Sequence, residues 1–127
     1  MKDGKFVILC VDDDQDMLDA VRVVLESNGY RVEEATTGEG GVRRWRECKP
    51  DLVIVDLMME EVDAGANCVK ELRLAGNTAP VYMLSSVGDQ LNQMTNYAEL
   101  GLSGVFQKPI QPDRLLSVLK AKLGAGK

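Results

Sequence analysis

Short uninterrupted apolar runs alternate with longer stretches of helical period along this chain, and that alternation restricts the fold more than any other feature. Leu52-Val53-Ile54-Val55 is apolar at every position, so neither face of a strand there carries a polar residue. A strand that is apolar on both faces belongs inside a sheet covered on both sides, the usual environment of parallel strands flanked by helices. Residues 6–11 (FVILCV) and 80–84 (PVYML) read the same way, and residues 103–107 form a shorter fifth run. Residues 30–35 (YRVEEA) are more polar, which predicts an edge strand.

The intervening stretches carry helical signals. Over residues 16–27, Met17, Leu18, Val21, Val24 and Leu25 share one face, and Asn28-Gly29 supplies the stop. Thr36-Thr37 caps a second helix reaching Cys48, its start weakened by Gly38, Gly40 and Gly41, with Val42 and Trp45 as core contacts. Residues 57–67 have no clean period and read as a loop before a third helix, which runs to Leu74 and stops at Gly76-Asn77. A fourth helix is predicted over residues 89–100, with Leu91, Met94 and Ala98 inward. Pro112 suits the first turn of a last helix carrying Leu115, Leu116, Leu119 and Leu123.

Five strand–helix pairs predict an α/β fold: a doubly wound five-stranded parallel sheet with right-handed crossovers, of flavodoxin-like order 2-1-3-4-5. The 127 residues suit a single domain with its core over about 5–123. In such sheets ligands bind beyond the carboxyl ends of the strands where the winding reverses, here between strands 1 and 3.

The polar residues gather at that edge. Asp12 and Asp13 follow strand 1, Asp56 follows strand 3, Ser85 and Ser86 follow strand 4, and Lys108 follows strand 5. Singly, each is an ordinary turn residue, cap or solvated charge. Together they place three carboxylates, a hydroxyl and an ammonium on one rim. Clustered carboxylates need a cation or raised pKa values. Oxygen ligands without His or Cys select a hard cation, Mg²⁺ above others. Mg²⁺, Lys108 and Ser85 suit the holding of a phosphoryl group, and Asp56 is the natural carboxylate nucleophile. Asp14 reads as a helix cap and Asp16 as a first-turn acid favoured by the helix dipole.

Composition narrows the classes. A net charge of -5 argues against general nucleic-acid binding, and no run is apolar enough to span a bilayer. The N-terminus lacks a signal-peptide pattern, and Cys10, Cys48 and Cys68 form no CxxC pair, which fits reduced thiols in the cytoplasm. With no histidine, the chain supplies no His base or phosphocarrier, and a zinc site is disfavoured.

The motifs ILCVDDD (8–14), PDLVIVDLMM (50–59), PVYMLSS (80–86) and KPI (108–110) resemble, in order and spacing, the receiver domains of two-component response regulators. The resemblance implies that Asp56 accepts a phosphoryl group from a phosphohistidine on a sensor histidine kinase or histidine phosphotransfer protein. Asp13, Asp56 and the Met58 carbonyl would bind Mg²⁺ directly and Asp12 largely through water. Ser85 and Lys108 would hold the phosphoryl group, with a cis peptide common before the residue at Pro109. Phosphorylation would then shift the face formed by the fourth helix, strand 5 and the last helix toward a downstream protein target or effector domain. The implied role is a signalling phosphoacceptor, not a turnover enzyme.

The chain departs from that family in places. Met59-Glu60 stands where Met-Pro is frequent, and Asp63-Ala64-Gly65 where Asp-Gly is usual. Val105 occupies the usual aromatic position, with Phe106 on the opposite face of the strand. Apolar Met58 and Val87 flank the phosphoacceptor and are expected to slow acyl-phosphate hydrolysis by crowding out water. Two rival readings remain. One is a haloacid-dehalogenase-like phosphohydrolase using Asp12 and Asp14. The other is a degenerate receiver that acts only as a docking module.

Overall fold

The computed structural model describes residues 4–56, 64–85, 102–107 and 110–123. Its strands are β1 (Val7–Val11), β2 (Arg31–Ala35), β3 (Leu52–Asp56), β4 (Val81–Ser85) and β5 (Gly104–Gln107). The described helices are α1 (Gln15–Glu26), α2 (Gly38–Cys48), α3 (Ala64–Leu74) and α4 (Pro112–Leu123). The helix predicted over residues 89–100 lies outside the described residues. All strand pairs are parallel, in the order β2-β1-β3-β4-β5 that the alternation predicts.

Two apolar layers cover the sheet. Ile8, Cys10, Ile54, Leu84 and Phe106 face Leu18, Val21 and Leu25 of α1 and Leu115 and Leu119 of α4. Leu9, Val11, Val53, Val55 and Met83 face Cys68, Val69 and Leu72 of α3, with Val42 and Trp45 of α2 packed against them. β1, β3 and β4 are buried along their whole lengths, as strands covered on both faces must be. β2 is the polar edge strand. Glu33 pairs with Arg31 and Arg44, and Glu34 with Arg22, so charges blunt the open edge.

Local chemistry starts and stops the helices. Asp14 caps α1, its side chain accepting from the Asp16 and Met17 N–H groups at 3.0 and 3.4 Å. Thr37 caps α2 by accepting from the Gly40 N–H at 2.9 Å. Trp45 is a packing residue whose indole N–H donates to Asn77 Oδ1 at 2.9 Å.

Three details differ from the sequence expectation. The helical signal was placed after residue 67, yet α3 begins at Ala64, because Ala64-Gly65-Ala66 has too little side chain to register a hydrophobic period. Asp56 and Ser85 are the last residues of β3 and β4 rather than the residues after them. The buried contact of α2 is Gly41, one of the glycines that read as a weakness. A Cβ there would lie 2.8 Å from Val11 Cγ2 and 3.3 Å from Cys68 Sγ, so its bare backbone lets α2 sit close to β1 and α3.

Candidate functional site

The sheet register assembles the acidic rim. Val11 pairs with Val55, so the next residues on those strands, Asp12 and Asp56, emerge side by side. One carboxylate oxygen from each of Asp12, Asp13 and Asp56 lies within 4.8 Å of the others. Asp12 and Asp56 are 1% and 3% exposed, whereas Asp13 is exposed, so the cluster is walled by protein and open to solvent on one side.

The chain's own backbone orients Asp12. Its N–H donates to the Ala35 carbonyl at 3.0 Å, and its Oδ1 accepts from the Asp14 N–H at 2.9 Å. Asp14 is engaged as the cap of α1. The acids of residues 12–16 therefore divide into cluster members (Asp12, Asp13) and helix-start residues (Asp14, Asp16), as the sequence predicts. The positive end of the α1 dipole lies next to this cluster and favours its negative charge.

Ser85 is fully buried at the end of β4. Asp56 pairs with Leu84, so Ser85 stands one residue further along the neighbouring strand, and Gln107 pairs with Ser85 across β5. Lys108, the next residue, lies outside the described residues, as do Met58, Ser86, Val87 and Pro109.

The donor set fits a hard divalent cation. Every cluster ligand is a carboxylate oxygen, with a water-accessible side where a Mg²⁺ ion would keep its waters. The buried thiols offer no competing soft ligand. Burial pushes the Cys10 thiol up to about 12 and the Cys68 thiol up to about 11, so both stay protonated at neutral pH. Among the described residues no helix is long and apolar enough to cross a membrane.

On β5, Val105 packs into the α2–α3 layer and Phe106 into the α1–α4 layer, the opposite-face arrangement expected from alternation. Phe106 lies 5.2 Å from Tyr82, centroid to centroid, at 31°. The Tyr82 ring also covers Gly104, where a Cβ would meet its Cε2 at 2.9 Å. Sequence reasoning missed one contributor, the Ala35 carbonyl that holds the Asp12 N–H, because a backbone contact between neighbouring strands leaves no mark on side-chain identity.

Comparison with known proteins agrees with this geometry. The family model of the response regulator receiver domain matches residues 8–120. The chain is 33% identical over 117 residues to the chemotaxis protein CheY of Bacillus subtilis, covering 91% of this chain and 96% of that protein. It is 31% identical over 116 residues to the alkaline phosphatase synthesis transcriptional regulatory protein PhoP of the same organism, covering 91% of this chain but 48% of the regulator. The chain thus spans about half the length of that relative. The structure of Vibrio cholerae chemotaxis protein CheY4 superposes with a TM-score of 0.82 at 28% identity, covering 94% of this chain and 99% of that one.

Proposed function

Because the chain belongs to the response regulator receiver domain family, we propose that it is a phosphoacceptor in which Asp56 takes a phosphoryl group, with Mg²⁺, from the phosphohistidine of a sensor histidine kinase or histidine phosphotransfer protein. The observation that carries the reading is the convergence of Asp12, Asp13 and Asp56 within 4.8 Å at the reversal point of the sheet.

Asp12, Asp13, Asp56 and the Met58 carbonyl would hold the cation. When bound, Mg²⁺ supplies charge neutralisation for the carboxylates and the incoming phosphoryl oxygens. An Asp56 carboxylate oxygen attacks phosphorus, and the phosphorus–nitrogen bond to the partner's imidazole breaks. The bond's electron pair stays on that nitrogen, which then takes up a proton. The product on this chain is an aspartyl phosphate. The Ser85 hydroxyl donates to a phosphoryl oxygen and the Lys108 ammonium neutralises another.

Asp56 is suited to this because burial at a central strand end fixes its carboxylate before the donor arrives. The phosphorylated form favours a second arrangement of the protein surface around β5 and α4, read by a downstream protein or effector domain. The reading makes the chain a cytoplasmic signalling component without turnover of its own. The phosphohydrolase alternative needs Asp14 as a general acid, and that carboxylate is occupied as a helix cap.

Intact mass after incubation with Mg²⁺ and acetyl phosphate tests the proposal. One phosphoryl adduct is expected, lost in Asp56→Asn and lost when Mg²⁺ is chelated. No adduct on a folded, Mg²⁺-binding protein refutes the phosphoacceptor reading and leaves the docking module. Phosphatase turnover that survives Asp56→Asn but not Asp12→Asn would favour the hydrolase.

A further inference from the structure

A fourth carboxylate, Glu34, lies two register positions back from Asp12 on the neighbouring strand, and its charge is met by a guanidinium. Glu34 on β2 pairs in register with Cys10, two residues before Asp12 on the adjoining strand. Register partners share a face of the sheet, and residues 10 and 12 share it too. The Glu34 side chain is only 20% exposed.

Chain neighbours of Glu34 and of Asp12 connect the two segments. The residue after Glu34, Ala35, offers the carbonyl that accepts the Asp12 N–H. Its own carboxylate accepts from Gln15 Nε2 at 3.4 Å, and Gln15 opens α1 directly after Asp14, whose N–H binds Asp12 Oδ1. Arg22, two turns along α1, donates to Glu34 through Nε at 3.0 Å and to Glu26 through Nη1 at 2.9 Å. Gln15 also donates to Asp19.

A partly exposed ion pair contributes little to stability, so stability is a weak reason for the Arg22–Glu34 pair. We propose that the Arg22–Glu34 ion pair sets the divalent-cation affinity of the Asp12–Asp13–Asp56 cluster, both acting as positioning residues and not as ligands. This rests on the reading of that cluster as a Mg²⁺ site.

The proposal has a sign. Without Arg22, the Glu34 charge is left uncompensated and draws a cation more strongly. With Glu34 neutral, one negative charge on the cluster's side is gone while Arg22 keeps only Glu26, so the local field is less favourable to a cation. A purely structural role would weaken binding in both cases.

The test is Mg²⁺ titration by calorimetry of the full chain, with Arg22→Met, Glu34→Gln and the double variant, each checked by thermal unfolding. One unit charge acting on a divalent ion at about 10 Å in a largely aqueous dielectric gives about a two- to fivefold change in Kd. Arg22→Met is expected to tighten binding by that factor, Glu34→Gln to weaken it, and the double variant to return close to wild type. The differences should shrink in roughly molar salt. Glu34→Gln keeps the side-chain shape, so it tests the sign even if Arg22→Met unfolds. Single variants that shift in the same direction, or do not shift, overturn the pairing while the Mg²⁺ site stands. Absence of Mg²⁺ binding in the wild type, or undiminished binding in Asp56→Asn, overturns both.

Discussion

A valine at position 41 would probe how the helical layer holds the acidic rim in place. The Cβ alone would lie 2.8 Å from Val11 Cγ2 and 3.3 Å from both Val11 Cγ1 and Cys68 Sγ. Favourable carbon contacts begin at about 3.5 Å, so the first added atom is already too close and two methyl groups follow it. Val11 is 0% exposed and Cys68 2% exposed, so neither neighbour can swing into solvent. Overpacking of this kind costs about 1–3 kcal/mol, and valine's better helix propensity than glycine offsets only a few tenths. The net expectation is a loss of about 0.6–2.7 kcal/mol. For 127 residues the unfolding entropy is about 0.27 kcal/mol per kelvin, which converts that loss into a fall in Tm of roughly 2–10 °C. Because Val11 immediately precedes Asp12, the strain is delivered to the end of β1, and Mg²⁺ affinity should fall with stability. Urea unfolding followed by circular dichroism, paired with Mg²⁺ titration, measures both. A Gly41→Val protein as stable as wild type would refute the close-approach argument.

Three further outcomes follow from the same structure. Asp14→Ala removes the α1 cap and should cost about 1 kcal/mol in urea unfolding; an unchanged midpoint would contradict the cap assignment. Burial raises the Cys10 and Cys68 thiols to about 12 and about 11, above the ~8.5 of an unfolded thiol. Their stabilisation is complete below the unfolded value and is lost as pH rises toward the folded values. Urea midpoints should therefore fall from pH ~8 to ~10.5, and fall less in Cys10→Ala/Cys68→Ala; equal slopes would refute the linkage. Met58→Asn with Val87→Glu should hasten decay of the phosphorylated chain by admitting water, and a decay rate no faster than wild type would end that explanation.

Much of this molecule was legible locally. The period of 3.6 in α1 marked Leu18, Val21 and Leu25 as buried, and all three are. The unbroken apolar run of β3 announced a strand covered on both sides, and the polar β2 announced an edge. Asp14 as a cap was readable because capping is a contact between residues two and three apart. The start of α3 was not readable, since Ala-Gly-Ala gives periodicity nothing to detect.

By itself the sequence determined the alternation of elements, the layers, and which strand ends carry acids, because each depends on residues within a turn or two of one another. Only the tertiary structure decided the rest. The Val11–Val55 register brings Asp12 and Asp13 within reach of Asp56 across 43 or more positions of chain. The approach of α2 to β1 turns Gly41 from a weak helix residue into a packing requirement. The meeting of α1 with β2 joins Arg22 to Glu34. These contacts depend on crossovers that bring distant segments together, and no local pattern records the distance between two side chains that meet only after the sheet has closed.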